Sequence, residues 1–213
     1  MADGRSAVAD GRRARGAASR AVILQAATTL FCTRGYAGTG MSAIATAAGV
    51  HTGSIYHAFG SKQGLLDAVI DGAADATFGA IESVAFDPAA SVRTRLETTA
   101  RVLVGHPDFL RLFLLLALEK GDDEGVRATV ERIRARARHV VADALAPVLE
   151  TLAGDVRVVA TEVAGRIALI LLDGVFVSYQ LDSENADLDQ TLSLVSAMAE
   201  LALAALPDLV TAI

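Results

Sequence analysis

Thr39-Gly-Met-Ser-Ala-Ile-Ala-Thr-Ala-Ala-Gly-Val-His-Thr-Gly-Ser-Ile-Tyr-His-Ala-Phe-Gly-Ser-Lys62 is the stretch that decides the fold. It reads as two short helices joined by a tight turn, the helix-turn-helix layout. Ala45 sits where the two helices approach, and a larger side chain there would push them apart. Gly49, four residues later, marks the turn, where a left-handed backbone suits glycine. Ile55, six residues further on, points back from the second helix into a small core.

Working outward, the helical pattern continues in both directions. Upstream, Ser19 is a plausible cap for a first helix whose Ile23, Ala27, Leu30 and Phe31 keep one face, with Gly35 as its C-terminal cap. Residues 1–18 are small, polar and Arg-bearing with no apolar period, so a flexible basic arm is expected there. Thr39 is expected to cap helix two, which carries Met41, Ile44, Ala45 and Ala48. His51 or Thr52 opens helix three, which ends near Phe59, and Ser61 caps a fourth that starts with Lys62, Leu65 and Leu66.

Downstream, Asp87-Pro88 breaks the chain, and Ser91 to Gly105 reads as helix five. Pro107 to Leu118 reads as helix six, with Pro107 in its first turn. Gly121 to Gly125 is expected as an acidic loop. A long helix follows to about Leu152, with Pro147 near its end, and Val158–Leu181 and Leu188–Leu206 complete the series. No strand pattern competes. The fold class is all-α with about nine helices: a helix-turn-helix domain over 19–66, then a larger helical domain over 67–213.

The chain has 213 residues, 53% of them apolar and only 5% aromatic. That balance suits a helix-rich protein with a large core. Charge is unevenly spread. Residues 1–62 carry seven basic and two acidic side chains, against 12 and 23 in the remainder. A basic head suits nucleic acid, and an acidic body keeps away from it or simply stays soluble. One cysteine, Cys32, allows no internal disulfide and fits a reducing compartment. No apolar run precedes a cleavage site near the N-terminus, so no secretory signal is expected. Ile167 to Val177, cut by Asp173, is too short to span a membrane. A cytoplasmic location follows as an expectation.

Residues 20–66 resemble the DNA-binding domain of the TetR family of bacterial transcriptional regulators. The resemblance rests on Ala26-Ala27, Leu30-Phe31, Gly35-Tyr36, Thr39, Ile44-Ala45, Ala48-Gly49-Val50, Gly53, Ile55-Tyr56, Phe59, Lys62 and Leu65-Leu66. Two positions depart from the family pattern. Ala43 stands where an acidic residue is frequent, and Thr52 where Lys or Arg is frequent, which removes one phosphate contact.

The resemblance implies that helix three enters the major groove of double-stranded DNA. Thr52, Ser54 and His57 are its short polar residues, and Gly53 lets the backbone approach closely. Hydroxyls read base edges promiscuously, so with no Arg or Asn here DNA shape is expected to carry part of the specificity. Two readings stand for His57, a DNA contact or a solvated side chain. Tyr56 and Lys62 read as phosphate anchors, with a half-buried core ring as the alternative for Tyr56. Thr39 and Ser42 at the start of helix two are expected to hold phosphate through a helix N-terminus. Arg12, Arg13 and Arg15 read as a minor-groove arm or a solvated tail.

For the body, the resemblance implies a ligand pocket among helices five to eight and a homodimer through residues 158–181 and 188–206. In Val158–Leu181 apolar residues surround the helix, so burial on two sides is expected. Asp173 is the odd carboxylate in that run. It reads either as a polar contact in a pocket or as half of an interhelix pair, with Arg166 a possible partner unless Arg166 pairs with Glu162 at i, i+4. Phe109, Phe113, Leu116 and Phe176, with Asp173, are the candidate pocket residues, and the effector they imply is an unknown, largely apolar small molecule.

The mechanism expected is that of a repressor that leaves a near-palindromic operator when the effector binds, the signal passing through helix four. Alternatives of other kinds are a constitutive DNA-binding protein and a partner-binding protein of the same fold. Catalysis has little support. The four His (51, 57, 106, 139) lack metal-ligand spacing, and no nucleophile elbow, phosphate loop or Cys-X-X-Cys motif is present. No metal or other cofactor is expected.

Overall fold

The computed structural model describes residues 3–119, 123–150, 154–181 and 187–205. Among these residues there are nine helices and no strand: α1 (Asp3–Arg34), α2 (Met41–Ala48), α3 (Thr52–Phe59), α4 (Lys62–Glu82), α5 (Val92–Val104), α6 (Pro107–Glu119), α7 (Glu124–Leu149), α8 (Gly154–Leu181) and α9 (Leu188–Ala204). None is long and apolar enough to cross a membrane among the residues described.

The chain divides into two compact units. The first is Met1–Ala73 with Arg111–Val130, and the second is Ala74–Leu110 with Glu131–Ile213. The cut expected at 66–67 falls inside the first unit, because α4 is one unbroken helix whose Leu65, Leu66 and Ile70 are fully buried.

In the first unit α1 packs on α2 and α2 on α3. Ile23, Ala27 and Phe31 of α1, Ile44 and Ala45 of α2, and Ile55 of α3 are all buried. The turn between α2 and α3 depends on Gly49, which has φ +64° and returns its backbone N–H to Thr46. A Cβ in that left-handed conformation is strained. Gly35 closes α1 in the same way, its N–H donating to Phe31 O at 3.1 Å. Ser61 caps α4, its Oγ accepting from Gly64 N at 3.0 Å.

The expected flexible arm is corrected, since α1 begins at Asp3 rather than near Ser19. Residues 3–18 have no apolar stripe to bury, but they are rich in Ala and Arg and free of proline. Extending an anchored helix is far cheaper than nucleating one. The side chains of Arg12, Arg13 and Arg15 lie outside the described residues, as do residues 121 and 122 of the expected acidic loop and residue 206 of the expected dimer segment.

In the second unit α5, α8 and α9 pack on one another. An antiparallel ladder sets the register of α9 on α5. Arg101 donates to Asp189 at 2.5 Å, Ser196 to Glu97 at 3.0 Å, and Arg93 to Glu200 at 3.4 Å. The loop before α5 is held by Arg95, which is only 3% exposed. Its guanidinium donates to the carbonyls of Asp87, Pro88, Ala90 and Ala144 and lies over the Phe86 ring. A buried cation without a carboxylate is tolerable because its donors are satisfied in this way.

Candidate nucleic-acid interface

α3 is two turns long, and its faces are sharply divided. Ile55 is fully buried, while Gly53, Ser54, Tyr56, His57 and Ala58 are exposed and Thr52 and Phe59 are half-buried. The exposed side is thus short and polar, a surface that a major groove accommodates. At Gly53 an added Cβ would meet nothing within 4 Å, so the chain's own packing does not demand glycine there. His51 precedes the helix as its N-cap residue without a side-chain cap bond.

On α2, Ser42 is exposed. Thr39 is a correction. It is 1% exposed, and its hydroxyl donates to Gly35 O at 2.7 Å and Leu30 O at 3.2 Å. Gly40, not Thr39, is the N-cap of α2. The Thr39 hydroxyl is spent on orphan carbonyls at the end of α1, so it is not presented to a phosphate.

Tyr56 is 50% exposed, so its ring is not enclosed in the core. Lys62 opens α4, and its ammonium lies 4.2 Å from the centre of the Tyr36 ring. The Tyr36 phenol is itself raised above its ordinary pKa, first by burial and then by the Asp123 and Asp67 carboxylates. Arg20 is a residue that sequence reasoning missed. Its Nη1 donates to Ala58 O at 3.1 Å, and its guanidinium lies 4.3 Å from the Phe59 ring centre. It therefore fastens the end of α3 to α1. No spacing marks it, because its partner lies 38 residues away.

In the second unit, Asp173 accepts both nitrogens of Arg134, at 2.9 and 2.5 Å. This is the interhelix pair, α7 to α8, and the carboxylate is thereby occupied rather than presented to a pocket. Arg166 instead pairs with Glu162 at 2.8 Å. The other candidate pocket residues are all buried. Phe109 and Phe176 are buried in the second unit, whereas Phe113 and Leu116 are buried in the first. Phe109 packs edge-on against Phe78 at 5.4 Å. A groove of about 570 Å³ does open between α7 and α8, past Arg138, His139 and Ala142 on one side and Val158, Thr161 and Gly165 on the other. Sequence reasoning did not single it out, since none of the five candidates lines it.

α8 and α9 each expose an apolar stripe. On α8 it is Ile170, Val177 and Leu181, with Gly174 between them, and on α9 it is Leu194, Met198 and Leu201. Ile170 is 66% exposed and Met198 58%. No group of three or more His, Cys, Asp or Glu that could hold a metal occurs among the described residues.

Residues 23–69 match the profile of the bacterial regulatory proteins of the tetR family. The HTH-type transcriptional repressor KstR2 of Rhodococcus jostii (strain RHA1) is 43% identical over 60 residues, 28% of this chain and 29% of that protein. The chain thus matches under a third of the length of that relative. Two solved structures superpose over 89% of this chain. One is a transcriptional regulator from Pseudomonas aeruginosa PAO1, with TM-score 0.70, 20% identity and 92% of its own chain covered. The other is a TetR-family regulator from Mesorhizobium loti MAFF303099, with TM-score 0.69, 24% identity and 97% covered. A regulator from Saccharomonospora viridis, solved in complex with choline, has TM-score 0.65 at 17% identity, covering 86% of this chain and 96% of that one. These three structural likenesses establish the fold alone.

Proposed function

We propose, from the premise that residues 23–69 of this chain are a DNA-binding domain of the tetR family of bacterial regulatory proteins, that the protein is a transcriptional repressor acting as a homodimer on a near-palindromic operator. The observation that carries the reading is the pairing of two surfaces: a short polar face on α3 and unpartnered apolar stripes on α8 and α9. Ser54 and His57 read base edges while Tyr56, Lys62 and Ser42 hold the phosphates. Gly53 admits close approach of the α3 backbone, and Thr52 contributes a short hydroxyl at its start. Affinity comes mainly from the backbone contacts and is salt-dependent. Two copies joined through α8 and α9 present two recognition helices to half-sites about 34–36 Å apart.

Release follows when a small molecule binds better to a form that cannot span both half-sites. The S. viridis regulator, of the same fold, is known with choline bound, which supports a small-molecule effector here. The α7–α8 groove is the cavity we assign to it.

Two measurements test the reading. Light scattering at micromolar concentration is expected to return twice the chain mass, and a monomer mass contradicts the homodimer. A thermal-shift screen of small amphiphiles is expected to find stabilising compounds that also release DNA. Stabilisation without release would favour a constitutive DNA-binding protein.

A further inference from the structure

A hydrogen-bonded knot lies inside the first unit. Tyr36, in the turn after α1, donates its hydroxyl to Gln63 Oε1 at 3.2 Å. The Gln63 amide donates to Asp67 Oδ1 at 3.1 Å and to Thr129 Oγ1 at 3.2 Å. Thr129 in turn donates to the same Asp67 oxygen at 2.6 Å. The start of α7 is built to receive this cluster. Asp123 caps the helix, its Oδ1 accepting from Val126 N at 3.0 Å. At Gly125 a Cβ would lie 2.9 Å from the Gln63 carboxamide, so an added methyl would push that amide out of its place.

The placement of the knot along the chain gives it meaning. Tyr36 precedes α2 and Gln63 follows α3, 27 residues later, so one hydrogen bond closes the loop that holds both helices of the reading unit. Closing such a loop restricts how far its two ends drift. Thr129 and Gly125, from a helix some sixty residues away, lock the clasp from the third side.

We infer that this knot is a positioning device: it clasps both ends of the helix-turn-helix and makes the first two turns of α7 a working part of the DNA-binding head. The inference deepens the DNA-binding reading above and rests on it. Tyr36, Gln63 and Thr129 touch no base in this scheme; they act through α3. Because α7 continues past Val130 into the second unit, a shift of α7 along or about its axis reaches α3 through Thr129 as well as through α4. Effector control therefore has a second mechanical input beside the helix that follows the reading unit.

The test is amide hydrogen exchange on the full chain carrying Thr129→Val, Thr129→Ser or Gly125→Ala. Valine keeps the shape of threonine and removes both hydrogen bonds, whereas serine keeps the hydroxyl. Exchange at the α2 and α3 amides is expected to quicken by roughly five- to tenfold in Thr129→Val, the scale of one ordinary hydrogen bond lost. Thr129→Ser is expected to restore the wild-type rate, Gly125→Ala to quicken it, and the α9 amides to stay unchanged in all three. Wild-type exchange at α3 in Thr129→Val, no rescue by serine, or an equal rise at α9 would each overturn the proposal. Retention of a random-sequence duplex pool is measured alongside. A wild-type chain that retains no duplex at low salt sinks the DNA-binding reading, while the exchange rates still decide whether the clasp holds α3.

Discussion

The α2–α3 pair and the α8–α9 pair are both two helices with an exposed side, and they differ in what that side is made of. α2 and α3 have eight residues each and show solvent Ser42, Ser54 and His57. α8 and α9 have 28 and 17 residues and show solvent Ile170, Leu181, Met198 and Leu201. A polar face on a short, firmly held helix is suited to a partner that is itself polar and hydrated. An apolar stripe on long helices is suited to a copy of itself, because burying it gains about 25 cal/mol per Å². The lesson is that exposure alone says little, and the chemistry of the exposed side names the partner.

The largest effect expected from breaking this contrast is on the body. Ile170→Asp with Met198→Asp places four carboxylates in a two-fold interface, at a cost of several kcal/mol per dimer. Sedimentation is expected to show monomers with helix content unchanged, and an unaltered dimer would move the interface elsewhere. Next comes Arg95→Ala, which strands four carbonyls and leaves a void. A loss of about 3 kcal/mol is expected in urea titration, and a loss under 1 kcal/mol would mean that water replaces the guanidinium.

In the head the effects are smaller and more local. Gly49→Ala is expected to cost about 1.5 kcal/mol, the price of a Cβ in left-handed backbone, read as a lower melting temperature. No change would mean that the turn relaxes freely. Tyr56→Phe is the mildest. It is expected to leave stability untouched and weaken duplex binding by about 1 kcal/mol, similarly across sequences. An unchanged affinity in an anisotropy titration would remove Tyr56 from the anchors.

The same contrast explains what could be read in the sequence. Gly35, Gly49, Ser61 and Ser91 announce the ends of α1, α2, α4 and α5 because capping is a matter of a few neighbouring residues. Ile55 and Ala45 announce the core of the head through their spacing. What was hidden depends on partners far along the chain. Asp173 stood out as odd, but its partner Arg134 lies 39 residues back, and Arg166, seven residues away, had looked nearer at hand. The cage around Arg95 reaches Ala144, 49 residues on. Thr39 misled for a different reason. Thr before an apolar run reads as a cap, yet here its hydroxyl serves the preceding helix. The extent of α1 was missed because an apolar period signals burial rather than helicity.

The central claim is that two copies of the polar α3 face read a symmetric site. Selection of bound duplexes from a pool of genomic fragments, at near-physiological salt, tests it most directly. The expected result is enrichment of a near-palindrome whose half-sites are about one helical turn apart. Fragments without a shared sequence, lost uniformly as salt rises, would contradict it and reduce the head to a non-specific polyanion binder.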